Sequence, residues 1–301
     1  MPAKSATQAS HANISLSSIR GNLSDRCPTV VCTLWLSAFP TSYVRLLRNA
    51  VKDHLKCEHR FICITDNPSA IDSDIEAIEM PDVGIPFEKK RSGCWPKINI
   101  FAEGLLPPNS PTLYLDLDVL IRGNLDQFFE QITDLGGFHS TREWNPSIWE
   151  LIPLSLRPDR GVQGALLGFI PKEHYWVHEL FASNQSKIYS RYHDDQRFLE
   201  DAIRDRYYWP FDWTASFKRH CVKHFPINII APRVKEPNHA KVVIFHGNPR
   251  PIDVVPLGNY KWGIPTRFGF GPVPWVRDYW LRYDTGWHEP NPGINPLNNG
   301  L

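Results

Sequence analysis

An excess of charge of either sign is missing from this sequence. Its 33 Lys and Arg residues stand against 32 Asp and Glu, interspersed, for a formal net charge of +1. A protein whose main partner is nucleic acid needs a basic face to neutralise phosphates, so nucleic acid is not expected as a partner. Long apolar runs are missing too. None approaches the roughly 18–20 residues that cross a bilayer as a helix, and no transmembrane segment is expected. The first 28 residues lack the apolar core of a secretory signal. They are rich in Ser, Ala and Asn, carry Lys4 and Arg20 with no acid before Asp25, and read as a disordered tail. The Asn-x-Ser patterns at Asn13, Asn22 and Asn184 then imply no glycosylation. Cysteine is sparse, with six residues scattered through 301. A chain this long buries a core without disulfide staples, so a reducing, cytoplasmic setting is expected. The spacing His54-x-x-Cys57-x-His59-x-x-x-Cys63 suggests zinc. Cys63, however, falls inside the strand-like run Phe61–Thr65, where a buried cysteine acts as a small hydrophobe.

What is present is an alternation of short apolar runs with helical periods. Thr29–Leu36 reads as a first strand, and Thr41 can cap a helix to about Leu55 with Val44, Leu47 and Val51 on one face. Strands are expected at Phe61–Thr65 and Ile75–Glu79. Pro96 suits the first turn of a helix beginning near Trp95. Gln163–Ile170 is a core strand or a turn into one. Asp194–Arg204 is a helix with Phe198, Leu199, Ala202 and Ile203 inward, and Lys241–His246 is a last strand. Such alternation predicts an α/β fold, a single domain over residues 29–255 with a mostly parallel sheet. Residues 256–301, dense in Gly, Pro and Trp, read as a loop-rich aromatic extension that wraps the domain or covers its site.

The most informative segment is Pro111-Thr-Leu-Tyr-Leu-Asp116-Leu117-Asp118-Val-Leu-Ile. An apolar run ends in two carboxylates two residues apart, and on a strand such residues share a face. In open α/β sheets ligands bind beyond the carboxyl ends of the strands. Two carboxylates converging there suit a hard divalent cation that completes its shell with phosphate oxygens and water. Acidic residues also occur in ordinary turns, so the reading depends on its surroundings. His246, followed by Gly247, adds a nitrogen donor to Asp116 and Asp118, a set that Mn²⁺ tolerates (Mg²⁺ being the other candidate). Arg250 is placed to contact phosphate oxygens. Thr33, Leu34 and Trp35, ending the first strand, are placed to line a nucleotide pocket with Leu117.

In order along the chain, five pieces resemble the motifs of metal-dependent GT-A fold glycosyltransferases. These are Trp95-Pro-Lys97-Ile-Asn-Ile-Phe101; Tyr114-Leu-Asp116-Leu-Asp118-Val with Gly123-Asn-Leu-Asp126; Asp194-Asp195-Gln196; Ser216-Phe-Lys218-Arg-His220; and Phe245-His246-Gly247-Asn-Pro-Arg250-Pro. The resemblance is to the glycogenin and galactosyltransferase group and related bacterial enzymes. It implies a GT-A domain that transfers sugar from a UDP-sugar to a glycan, lipid or protein acceptor. It further implies a metal on Asp116, Asp118 and His246, sugar contacts from Asp195 and Gln196, and donor contacts from Lys97, Lys218 and Arg250. Two departures stand out. Gly161-Val-Gln163-Gly164 replaces an Asn-containing turn, and Arg250 follows His246 more closely than the corresponding basic residue does. A phosphohydrolase of the haloacid dehalogenase type also places Asp-x-Asp at a strand end, but near its N-terminus. A non-catalytic sugar-nucleotide binding protein is the third reading.

Overall fold

The structure is a computed structural model that describes residues 26–36, 38–145 and 152–289. The expected disordered tail lies almost wholly outside the described residues. β1 (Thr29–Leu34) is buried along its whole length, as a strand covered on both faces must be. Val30, Cys32 and Leu34 join one core cluster and Val31 the other, the alternation of a two-residue period. α1 (Ser42–His54) lays Tyr43, Val44, Leu46, Leu47, Ala50 and Val51 inward and returns the chain to β2 (Arg60–Thr65), which pairs parallel with β1 in register from Thr29↔Arg60 to Leu34↔Thr65. β3 (Glu76–Glu79) adds outside β2, also parallel. After the short α2 (Phe87–Arg91) the chain crosses back to β4 (Thr112–Leu115) on the other side of β1. The strand order therefore reverses between β1 and β4, which is where α/β sheets open a ligand crevice.

β5 (Val119–Ile121), α3 (Asp126–Leu135), β6 (Phe138–Arg142), β7 (Val162–Phe169), α4 (Pro171–Arg191), α5 (Asp195–Ala202) and β8 (Arg206–Tyr208) follow. The large sheet has the order β3-β2-β1-β4-β7-β6-β8. It is mostly parallel: β7 alone runs against its neighbours β4 and β6. β9 (Thr214–Ser216), α6 (Ile227–Ile230) and β10 (Val242–Ile244) come next. β10 joins β5 and β9 in a second, three-stranded sheet, and the amide of Phe245 donates to Asp118 O at 3.1 Å. That bond brings the end of β10 to the acidic pair. No helix among the described residues is long and apolar enough to cross a membrane.

Several boundaries differ from expectation. β1 stops at Leu34 because Leu36 takes φ 50° and gives its amide to Asp66 Oδ2 at 2.8 Å. Trp95–Phe101 is a 3₁₀ segment with every residue buried, so no solvent face exists to set an amphipathic α period. β10 ends two residues before His246, and α5 ends at Ala202 rather than Arg204. The C-terminal extension is less irregular than expected. It holds a hairpin, β11 (Lys261–Ile264) with β12 (Arg267–Phe270), and a ten-residue helix, α7 (Pro274–Tyr283). The hairpin turns on Pro265-Thr266 and needs Gly269, where a Cβ would lie 2.2 Å from the Trp262 ring. Trp280 meets Tyr43 of α1 edge-on at 4.9 Å, so the extension packs into the core.

Candidate active site

Two cavities open at the carboxyl ends of β1 and β4. The larger, about 580 Å³, is lined by Thr33, Leu34, Trp35, Phe39, Phe87, Lys90, Arg91, Leu117 and Arg250, among others. The smaller, about 330 Å³, takes Lys97, Gln163, Gly164, His193, Asp195, Gln196 and His246. Cys94, Asp116, Asp118 and Gly247 line both. The acidic pair thus stands at the junction. Its members do not share a strand face as expected, since β4 ends at Leu115 and Asp118 lies in the turn before β5. The turn still delivers both to one place.

Asp116 is held from beneath. The Tyr114 hydroxyl donates to its Oδ1, and Thr33 Oγ1 lies 3.0 Å from that hydroxyl. Lys97 Nζ sits 3.0 Å from Oδ1 and 3.1 Å from Oδ2. The same ammonium donates to Gly164 O at 3.2 Å and lies 3.7 Å from Asp195 Oδ2. Lys97 is only 4% exposed. Burial opposes its charge, but Asp116, Tyr114 and Asp195 together hold its pKa well above the ordinary value. Lys97 is therefore no solvated face residue; it ties the acidic pair to the start of α5. There Asp194 caps the helix through Arg197 N at 2.9 Å, Asp195 N donates to Gly93 O at 2.8 Å, and Gln196 Oε1 accepts from Gly164 N at 3.2 Å. Burial raises Asp195 to about 7, Lys97 opposing and Asp116 adding to the rise. Burial and then Asp116 raise Asp118 to about 8, with Lys97 opposing.

On the larger side, Trp35 is not a core residue. It is half-buried and fixed by a 2.7 Å bond from Nε1 to Lys90 O. Arg250 donates to Ala38 O at 3.1 Å and lies 4.7 Å over the Phe39 ring. Lys218 lines neither cavity. It adjoins Gly247, where a Cβ would come 3.6 Å from its Nζ, and the charge of Asp118 reaches it. The sequence reading did not single out Phe39, Phe87, Lys90, Arg91, Cys94 or His193 as site residues. A usable signal was the basic run Phe87-Glu-Lys-Lys-Arg91 just ahead of the Trp95 motif.

The donor chemistry suits a divalent cation. Asp118 is a desolvated carboxylate pressed by a second one, a strain that a bound cation relieves. His246 is neutral, lowered to about 3 by burial and by Lys218, Arg219 and His220, as a metal-ligating imidazole must be. The arrangement is not a preformed three-ligand cage. Among the described residues no three His, Cys, Asp or Glu side chains gather closely enough to hold a metal. His246 Nε2 instead lies 2.6 Å from Ser216 Oγ. At residues 54–63, Cys63 is buried in β2, where it packs as a small hydrophobe.

No protein-family model matches the chain, and no curated protein matches it in sequence. Solved structures do match in shape. The galactosyltransferase LgtC in complex with donor and acceptor sugar analogs superposes with a TM-score of 0.52 at 13% identity, over 87% of this chain and 98% of that one. The glycosyltransferase GlyE of Streptococcus pneumoniae TIGR4 does so with 0.53 at 12% identity, over 86% and 63%. What is shared at these identities is the fold, and the chain has the GT-A glycosyltransferase fold.

Proposed function

We propose that this protein is a glycosyltransferase that moves a sugar from a nucleoside diphosphate, a UDP-sugar, to the hydroxyl of a glycan, lipid or protein acceptor, with Mn²⁺ or Mg²⁺ at Asp116 and Asp118. One observation carries the reading: two cavities of unlike chemistry meet at a single pair of carboxylates. The larger offers aromatic rings and the cations Lys90, Arg91 and Arg250, which suit a base and its phosphates. The smaller offers carboxylate, amide and imidazole groups, which suit sugar hydroxyls. A diphosphate linking the two ligand halves falls at the acidic pair, where like charges repel unless a cation lies between them. When bound, a divalent cation offsets the charge that grows as nucleoside diphosphate leaves.

The chain's own residues supply the rest. Arg250 and Arg91 add fixed positive charge along the phosphates. Asp195 and Gln196 orient the sugar, and Lys97 holds Asp116 and Asp195 in register. His246, neutral and at the wall of the smaller cavity, would be the third donor to the cation, exchanging its bond to Ser216 Oγ for the metal. The match to LgtC, a galactosyltransferase bound to donor and acceptor sugar analogs, supports this reading. The six unpaired cysteines suit the reducing cytoplasm. A phosphohydrolase of the haloacid dehalogenase type places its Asp-x-Asp near the start of its fold, whereas β1, α1, β2 and β3 precede Asp116 here.

The test is a thermal-shift panel of nucleotide sugars with and without Mn²⁺, followed by assay of nucleoside diphosphate release with candidate acceptors. Selective, Mn²⁺-dependent stabilisation and release are expected. Hydrolysis of a simple phosphomonoester without nucleotide-sugar binding would replace the reading with a phosphohydrolase. Binding with neither transfer nor hydrolysis would replace it with a binding protein.

A further inference from the structure

A second surface has no part in either cavity. Phe225, Ile227, Ile229 and Ile230 are 50%, 57%, 57% and 84% exposed, and Phe270 is 53% exposed. Isolated exposed apolar residues are ordinary, but these adjoin one another. The Phe225 ring lies 6.4 Å from Phe268, and Phe268 lies 5.8 Å from Phe270. Residues 268 and 270 are two apart on β12 and so share a face. The patch is also held in place. Buried Asn228 donates from Nδ2 to Phe268 O at 2.8 Å, and Phe225 N donates to Thr266 O at 2.9 Å. The isoleucines of α6 thus project from a helix pinned to the hairpin.

The charge around this patch departs from the balance of the chain. Residues 217–235 contain five Lys and Arg, two His and no Asp or Glu. Lys223, Arg233, Lys235 and Lys261 are exposed, and Lys261 Nζ lies 4.1 Å over the Phe268 ring. Glu236, the acid that ends the run, pairs with Arg122. A rigid aliphatic and aromatic patch ringed by exposed cations is complementary to an anionic lipid surface. There, apolar side chains enter the boundary between headgroups and acyl chains while Lys and Arg meet the phosphates.

We infer that this face, formed by α6 and the β11–β12 hairpin, docks the protein on an anionic membrane surface. The inference concerns where the protein sits and does not depend on the reaction proposed above. Arg267 joins this face to the cavities, donating to Lys218 O at 3.0 Å and to Val222 O at 2.7 Å, and Lys218 backs Gly247. A docked molecule would hold its cleft at a fixed height over the lipid.

The experiment is flotation of the full chain with phosphatidylcholine vesicles, with and without phosphatidylglycerol, at low and high salt. Binding to the anionic vesicles at low salt, weakened by salt and absent from neutral vesicles, is expected. Each of Lys223→Ala, Arg233→Ala and Lys235→Ala should lower partitioning roughly fivefold. Ile229→Ser with Ile230→Ser should remove the salt-resistant part. All of these side chains are exposed, so melting temperature and donor binding should not change. Equal binding to neutral vesicles, no flotation of the parent, or variants that float like the parent would overturn the inference. So would a parent dimer in sedimentation that Ile230→Asp makes monomeric, because a second copy would then be what covers the patch.

Discussion

The two cavities share four residues and differ in almost everything else. The larger is walled by side chains on turns and on α2: Trp35 and Phe39 after β1, then Phe87, Lys90 and Arg91. One of its rings, Phe87, is 58% exposed. The smaller is walled by groups already bonded to one another: Lys97 to Asp116 and Gly164, Gln196 to Gly164, and His246 to Ser216. The first is a pocket of aromatic rings and cations suited to a planar ligand, and the second is a polar network with its geometry set in advance. Buried polar networks tolerate little loss, because each member left alone bears its full desolvation penalty. Substitutions should therefore separate the cavities by kind as well as by size of effect.

The largest effect is expected at the junction. Asp118→Ala should abolish Mn²⁺-dependent binding of both UDP and UDP-sugar, measured by calorimetry, because both ligands carry the diphosphate. It should not lower the melting temperature. A carboxyl whose folded pKa lies near 8 weakens folding above its unfolded value, and its removal ends that cost. Retained Mn²⁺-dependent donor binding would sink the metal assignment. Next comes Lys97→Ala, which leaves the buried Asp195 and the partly buried Asp116 without their cation. A loss of about 3–5 kcal/mol in denaturant melts is expected, and UDP-sugar should lose its advantage over UDP in the protein that remains folded. An unchanged melt would show that the ion network does not hold this cavity together.

The same contrast governs what could be read before the structure. Asp116, Asp118 and His246 were legible because polar residues at the ends of apolar runs are conspicuous, Lys97, Asp195 and Gln196 entered through the resemblance alone, and all six line the smaller cavity. The parallel sheet was legible for a related reason, since strands buried on both faces leave unbroken apolar runs. Phe39 was not legible, and Phe87 and Lys90 left only the basic run of residues 87–91 as a signal. An aromatic residue in a turn has no period, and only the chain reversal at Ala38–Thr41 and the placement of α2 bring these side chains across the crevice. Lys218 was marked by its basic run, and the fold sets its ammonium beside Gly247 and within reach of the Asp118 charge. The hairpin and α7 were missed because two four-residue strands and a ten-residue helix are too short for a period to emerge among Gly, Pro and Trp. Phe87→Ala tests the large-cavity half of this account. The ring is exposed, so stability should not change, while UDP affinity should fall about tenfold if the ring stacks on the base. The ratio of UDP-sugar to UDP affinity should hold. A change in that ratio would mean the cavities are not separate.

The smallest and most discriminating effect is on pH. Asp195 has its carboxyl raised to about 7 by burial, Lys97 opposing and Asp116 adding to the rise. An acid raised in the folded state stays protonated to higher pH than in the unfolded chain. It adds nothing to stability below about pH 4 and weakens folding progressively up to about pH 7. Ligand binding reads the same titration in the opposite sense. Above about pH 7 the carboxylate accepts from sugar hydroxyls with the strength of a charge-assisted bond, worth about 1 kcal/mol more than a neutral one. The ratio of UDP-sugar to UDP affinity should therefore rise roughly fivefold between about pH 6 and about pH 8. Asp118 also titrates in this range, but it faces the diphosphate that both ligands carry, so its effect cancels in the ratio. Asp195→Asn should flatten the ratio without moving the pH dependence of UDP binding itself. A ratio that stays flat in the parent protein would mean that Asp195 meets no sugar hydroxyl and that its carboxylate serves only to anchor Lys97.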